Sequence, residues 1–111
     1  MVERCERAAQ VSGVLAEVLD LRTLAPWDRE TVLTSVRKTR RCLIVHEDTL
    51  TAGFGAELAA TLASEAFFSL GAPIARLTMP DIPSPHAPVL LEAVVPSVES
   101  ITRAIRALAS V

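Results

Sequence analysis

The central part of the chain carries two hydrophobic patterns in succession. A continuous apolar run at Cys42–Val45 predicts a short β-strand that is covered on both faces. Beyond a loop at residues 49–53, apolar residues recur at steps of four and predict one long helix, which Gly71 and Pro73 end. This succession is typical of a strand–loop–helix unit in an open α/β sheet. The residues that carry the helical period are Leu58, Leu62, Ala66 and Leu70.

Three further helices are predicted around this unit. Met1–Gln10 has Val2, Cys5 and Ala9 on one face. Asp28 is placed to cap a second helix, and Ser97 is placed to cap the last one, because short polar side chains accept hydrogen bonds from the free amides of a first turn.

Two further strands are predicted, at Leu15–Leu21 and Ile74–Thr78, while Val89–Val95 fits either a short strand or a short helix. Four prolines within residues 80–88 indicate an extended connection. Helices and strands therefore alternate along the chain. We expect a single domain over residues 1–111, with a three-layer α/β/α architecture around a mainly parallel sheet.

Composition mainly excludes classes of function. The chain has 111 residues and a net charge of −2, which predicts no basic face for nucleic acid or anionic lipid. No apolar run approaches the ~20 residues of a membrane span, and no secretory leader is recognised. Cys5 and Cys42 form no CxxC pair, so we expect a reduced, intracellular protein in the cytoplasm.

The polar residues with the best position for chemistry follow the central strand. His46, Glu47 and Asp48 come at the carboxyl end of Cys42–Val45, where α/β sheets place functional groups. A metal site would need a third rigid ligand, and neighbouring strand residues point to opposite faces. His86 is the only other histidine. A buried or capping role for His46 is therefore favoured over metal binding.

Gly53 and Gly55 precede the long helix and leave two interpretations open. Backbone amides at this turn could approach an anion, but the third glycine of the dinucleotide motif is replaced by Leu58. Close packing of the turn is the favoured explanation. No GxSxG or Cys–His arrangement is present, so no catalytic, cofactor-binding or metal-ligating residue is predicted. The candidates for a loop or interface site are His46, Glu47, Gly53, Phe54, Gly55 and Glu57.

Several segments resemble one family, the beta subunits of thiamine-diphosphate-dependent 2-oxo acid dehydrogenases. Val18–Asp28 is similar to the family segment VIDLRTLxPWD, and Cys42–Glu47 to its strand LLIVHE. Gly53–Glu57 resembles the turn GGFGAE, and Pro80–Pro85 the loop PDTPxP. Pro96 and Ser97 fall where the last helix of the family begins. The order and spacing of these motifs make the resemblance specific.

The resemblance implies the carboxyl-terminal domain of a beta subunit, with a fold like the transketolase carboxyl-terminal domain. In that family, two alpha and two beta chains decarboxylate a 2-oxo acid on thiamine diphosphate with magnesium, and pass the acyl group to the lipoyl arm of an acyltransferase core. Cofactor and catalytic residues belong to the alpha chain and to the other domain of the beta chain. This domain would serve beta–beta contacts and docking of the acyltransferase, so this chain alone is expected to be inactive.

The chain departs from the family pattern in two ways. Ala52 replaces the first glycine of GGFGAE, which is tolerable if the position needs no positive φ. The family's first two strands are absent, and one of them lies between the strands that correspond to Leu15–Leu21 and Cys42–Glu47. We expect those two strands either to close up directly or to take a strand from another chain, with marginal stability or oligomerisation as the consequence.

Two alternative functions remain open at this point. One is a free-standing, non-catalytic interaction module with the same fold. The other is the carboxyl-terminal domain of a transketolase-type enzyme, since the glycine turn is shared with that branch. A weaker third interpretation is an anion-binding domain that uses the Gly53–Gly55 turn.

Overall fold

Two parallel β-strands form the centre of the computed structural model, which describes residues 1–111. Leu43 lies opposite Ala75 and Val45 lies opposite Leu77, and the register shifts between Val45 and Thr49. The pairing confirms the parallel arrangement expected from the sequence. The elements in chain order are α1 (Val2–Ser12), α2 (Arg29–Thr39), β1 (Leu43–Thr49), α3 (Phe54–Glu65), a 3₁₀ turn (Phe67–Ser69), β2 (Ala75–Met79), α4 (Pro88–Val94) and α5 (Val98–Ala109).

Helices pack on the strands in two groups. Helix α3 contacts β1, and α2 joins α3 in the largest buried cluster, which Val32, Leu33, Val36, Leu62 and Ala66 form. Helix α5 contacts both strands and carries α1 on its outer side. These contacts give the α/β/α layering that the sequence predicts.

The predicted helix caps are present in the structure. The Asp28 carboxylate accepts a hydrogen bond from the Thr31 amide at 3.2 Å, and Ser97 Oγ accepts one from the Ser100 amide at 3.0 Å. Ser100 Oγ in turn accepts from the Ser97 amide, which completes a reciprocal capping box. These local signals were sufficient to place the amino ends of α2 and α5.

The predicted strand at Leu15–Leu21 is wrong. The segment is extended but pairs with no strand, and the side chain of Leu15 is fully exposed. Its side chains attach it to α2 instead: Glu17 accepts a hydrogen bond from Ser35 and pairs with Lys38. An extended segment becomes a strand only when its amides and carbonyls find a neighbouring backbone, and β1 pairs with β2 alone. Of the two alternatives for its pairing, direct closure of Leu15–Leu21 onto β1 is therefore wrong, and pairing with a strand of another chain stays a prediction.

One smaller expectation is corrected, and one open alternative is decided. The helix predicted to reach Leu70 ends at Glu65 and is followed by the short 3₁₀ turn. Of the two alternatives for Val89–Val95, the helix is confirmed: α4 runs over Pro88–Val94, and Pro88 occupies its first turn, where a missing amide costs no hydrogen bond. None of the helices combines the length and the apolar composition needed to span a bilayer.

Candidate functional site

His46 lies in the middle of β1, against the start of α3, since the strand extends to Thr49 and includes the polar residues expected to follow it. Its Nδ1 accepts a hydrogen bond from the backbone amide of Asp48 at 3.1 Å. A nitrogen that accepts carries no proton, so the ring is the neutral tautomer protonated on Nε2. Nε2 is buried and has no hydrogen-bond partner. The ring is thus held by one hydrogen bond and by close packing.

Two glycines make room for this packing. A β-carbon at Gly55 would lie 2.2 Å from His46 Nε2, and one at Gly53 would lie 2.1 Å from the carbonyl oxygen of Thr49. Neither glycine has a positive φ, so both positions require glycine because a side chain would not fit there. The structure shows the close packing that the sequence favoured for this turn.

The surroundings of His46 favour its neutral form. Burial lowers the pKa of His46 below its ordinary value, and Arg76 lowers it further, while Asp48 opposes the shift. The amino end of α3 adds a positive partial charge beside the ring, which acts in the same direction as Arg76. We conclude that His46 is uncharged at neutral pH.

Residues 48–53 comprise the last two residues of β1 and the turn after it, and they are bonded to β2 and to the segment that follows β2. The Thr51 amide donates to Asp81 at 2.9 Å, and Thr51 Oγ1 donates to the same carboxylate. Arg76 donates to the carbonyl of Leu50 at 2.9 Å. The hydrogen bonds from Thr51 lower the pKa of Asp81. We call residues 48–53 the β1 loop and residues 80–87 the proline-rich loop; Asp81 joins the two.

The other predicted site residues lie around this cluster without converging on a common point. Glu47 is exposed, with its carboxylate 3.9 Å from the amino group of Met1. Phe54 is half-buried and Glu57 is exposed in the first turn of α3. His46, Gly53 and Gly55 are in contact, whereas Glu47 and Glu57 face solvent.

The arrangement offers no catalytic constellation. One nitrogen of His46 is engaged by the Asp48 amide and the other is enclosed, so neither is presented to a substrate. No group of three or more His, Cys, Asp or Glu side chains is placed to hold a metal ion. The His46 ring and the Thr49 carbonyl occupy the space that side chains at the two glycines would need.

Comparison with known proteins matches residues 1–101 to the family described as the transketolase, C-terminal domain. The chain belongs to this family. The assignment confirms the fold class expected from the sequence, and the matched residues include β1, the β1 loop and α3.

Beta subunits of 2-oxo acid dehydrogenases are among the curated relatives of this transketolase C-terminal domain. It is 51% identical over 87 residues to the 2-oxoisovalerate dehydrogenase subunit beta of Pseudomonas aeruginosa, covering 78% of this chain and 25% of that protein. It is 37% identical over 107 residues to the mitochondrial pyruvate dehydrogenase E1 component subunit beta of Dictyostelium discoideum, covering 94% of this chain and 30% of that protein. The recognition made from the sequence motifs is confirmed. The chain spans about a quarter of the length of these relatives.

Sequence reasoning missed the connection between Thr51, Arg76 and Asp81. A signal for it was available, because Thr51 and Asp81 each follow one of two neighbouring parallel strands. The carboxyl ends of parallel strands lie at the same edge of a sheet, so polar residues just beyond them can meet.

Proposed function

We propose that this chain serves as the carboxyl-terminal domain of the beta subunit of a 2-oxo acid dehydrogenase. The assembled enzyme would carry out oxidative decarboxylation of pyruvate or a branched-chain 2-oxo acid and transfer the acyl group to lipoyl. The observation that carries the proposal is the sequence identity to named beta subunits of both substrate types. As the family resemblance implies, thiamine diphosphate and magnesium would be held by the alpha chain and the other domain of the beta chain.

In this role the domain supports assembly rather than chemistry. Its partners would be the alpha subunit, a second beta chain and the lipoyl acyltransferase core. Large apolar side chains on its surface support this part of the proposal. Phe68 is 97% exposed and packs edge-to-face on Phe67, and Val89 on α4 is 82% exposed. Exposed aromatic side chains are enriched in protein interfaces.

The cellular location proposed is the cytoplasm, and it rests on cysteine chemistry. Cys5 and Cys42 are both free, and burial raises the pKa of each thiol. Unpaired, poorly reactive cysteines suit a reducing compartment. Fractionation of the native cells would test the location.

Reconstitution tests the proposed function directly. The chain is mixed with an alpha subunit and the remaining part of a beta subunit, and association and thiamine-dependent decarboxylation are measured. We expect a complex that is active only when this chain is present. Phe68→Ser should weaken association at unchanged folding, whereas Val111→Ser, a matched loss of an exposed apolar side chain at the chain end, should not. No association with any such partner would contradict the proposal.

A second candidate is a free-standing interaction module without an enzymatic role. The same exposed side chains favour it, together with a β1 loop cluster in which neither nitrogen of His46 is available. Binding to an acyltransferase core without any gain of decarboxylation on adding the other subunits would select this candidate. Binding that restores activity would select the first.

A further inference from the structure

The only hydrogen bond between the His46 ring and the β1 loop requires an unprotonated ring nitrogen. Nδ1 accepts the Asp48 amide at 3.1 Å, and no other side chain or backbone group is bonded to the ring. Imidazolium carries a hydrogen on both nitrogens. A protonated Nδ1 would therefore face the Asp48 N–H as a second donor, and the hydrogen bond would be lost. The hydrogen bond that begins the β1 loop therefore depends on the charge of one side chain.

Close packing leaves the His46 ring little room to move if its hydrogen bond is lost. A β-carbon at Gly55 would lie 2.2 Å from Nε2 of the ring, and one at Gly53 would lie 3.1 Å from its Cε1. The charged groups that act on the ring are Asp48 at the end of its own strand and Arg76 on β2; α3 presents the positive end of its helix dipole. A charged ring would thus meet one cation and one helix amino terminus within a packed site, with a single carboxylate to offset them.

The β1 loop connects the hydrogen bond at His46 to the proline-rich loop. Thr51, three residues beyond Asp48, donates its amide and its hydroxyl to Asp81, which lies at the start of the proline-rich loop. At the opposite end of the β1 loop, Ala52 has a positive φ of 59° and Gly53 packs closely on the Thr49 carbonyl. A change in the backbone at Asp48 therefore reaches Asp81 through residues 49–51.

We propose that His46 is a pH-sensitive latch: protonation of Nδ1 breaks the hydrogen bond from the Asp48 amide and loosens the β1 loop together with the proline-rich loop that Asp81 joins to it. At neutral pH the latch is closed. Mild acidification opens it while the sheet and α3 stay in place, because β1 and β2 keep their pairing at Leu43–Val45. The latch is a property of the chain itself and does not depend on the proposed enzyme.

A nuclear magnetic resonance titration of the full chain between pH 7.5 and 5.0 tests the latch. The ring protons of His46 and His86 are followed with the backbone amide of Thr51. We expect His46 to titrate below the ordinary histidine value of ~6.5, and the Thr51 amide to shift with the same midpoint. Exchange protection of that amide should fall by about tenfold, equivalent to one hydrogen bond lost.

Matched variants separate the latch from general acid effects. His46→Asn keeps an acceptor at the position of Nδ1 but cannot take a proton, so the Thr51 amide should no longer respond to pH. His86→Asn, the control at the exposed second histidine, should leave the response unchanged. Asp81→Ala, which removes the acceptor of both hydrogen bonds from Thr51, should uncouple the loops: the Asp48 amide still responds, while Ile82 in the proline-rich loop does not.

Three results would overturn the latch. They are a Thr51 amide that does not shift over this range, a midpoint that follows His86, and a response that persists in His46→Asn. Should His46→Asn fail to fold, the wild-type titration decides by itself, since the midpoints of the His46 ring and the Thr51 amide either coincide or differ.

Discussion

The Nε2 atom of His46 lies against the backbone of Gly55, at a distance that leaves no room for a side chain: a β-carbon at Gly55 would come within 2.2 Å of that nitrogen. This contact sets the distance between the end of β1 and the first turn of α3. It also encloses the one polar atom in the cluster that has no partner. The residue pair therefore links the packing of the domain to the charge of a histidine.

Gly55→Ala should destabilise the domain because the added methyl group overlaps the imidazole and approaches Ile44 at 3.2 Å. Inserting a methyl into a packed site typically costs about 1–3 kcal/mol in the free energy of unfolding. Urea unfolding followed by circular dichroism would measure the loss. Wild-type stability in this variant would contradict the packing described here.

Gly71→Ala is the matched control for that substitution. A β-carbon at Gly71 would come no nearer than 3.6 Å to another atom, and the residue has no positive φ. We expect its effect on the free energy of unfolding to be within about 1 kcal/mol of zero. His46→Ala combined with Gly55→Ala should recover part of the loss, since the smaller side chain removes the overlap.

Ala52→Gly should stabilise the domain. The sequence argument required that this position need no positive φ, and the structure gives it a φ of 59°. An L-residue in the left-handed region loses about 1–2 kcal/mol of stability that glycine does not lose. Part of this gain is offset because glycine has more conformational freedom in the unfolded chain. We expect a gain of about 1 kcal/mol by urea unfolding. Ala60→Gly, at an exposed position inside α3, should instead lose about 1 kcal/mol.

Elements set by neighbouring residues could be predicted from the sequence. The apolar run at Cys42–Val45, the four-residue period of α3 and the caps Asp28 and Ser97 each act within a few residues, and all are present in the structure. A fold with parallel strands and covering helices follows from them.

Features that depend on distant residues could not be predicted. Leu15–Leu21 has a strand-like composition, but its state depends on whether a neighbouring strand is available, and none is. The bond between Thr51 and Asp81 joins residues 30 positions apart, so it follows only once the pairing of β1 with β2 is known. The positive φ of Ala52 likewise arises from how the loop must close, not from the residue itself.

The domain should become less stable as the pH falls from about 7 to about 5. His46 has a lowered pKa in the folded state, so over this range the unfolded chain, with an ordinary histidine near ~6.5, binds more protons. The free energy of unfolding is therefore highest above ~6.5 and declines below it until the pH reaches the folded-state pKa. Urea unfolding at several pH values should show this slope, which His86→Asn should keep and His46→Asn should reduce. A stability that is unchanged over the range would contradict the buried neutral state of His46.

Cys42 should react slowly with thiol reagents in the folded protein. Burial raises the pKa of Cys42 to about 11. At pH 8 its thiolate fraction is then about a hundredth of that of an ordinary thiol, and the thiolate is the reactive form. In a Cys5→Ser variant, which leaves Cys42 as the single thiol, alkylation by iodoacetamide should be about a hundredfold slower than in the same chain unfolded in urea.

The pH dependence of that reaction identifies its cause. A thiol with a pKa of about 11 should react about tenfold faster for each pH unit between 8 and 10, without a plateau. Reaction through transient unfolding would instead level off near the ordinary thiol value of ~8.5, because the reacting state would then be solvated. A plateau there would show that Cys42 reacts only in molecules that have opened transiently, and not in the native state. It would place Cys42 in a part of the core that opens readily.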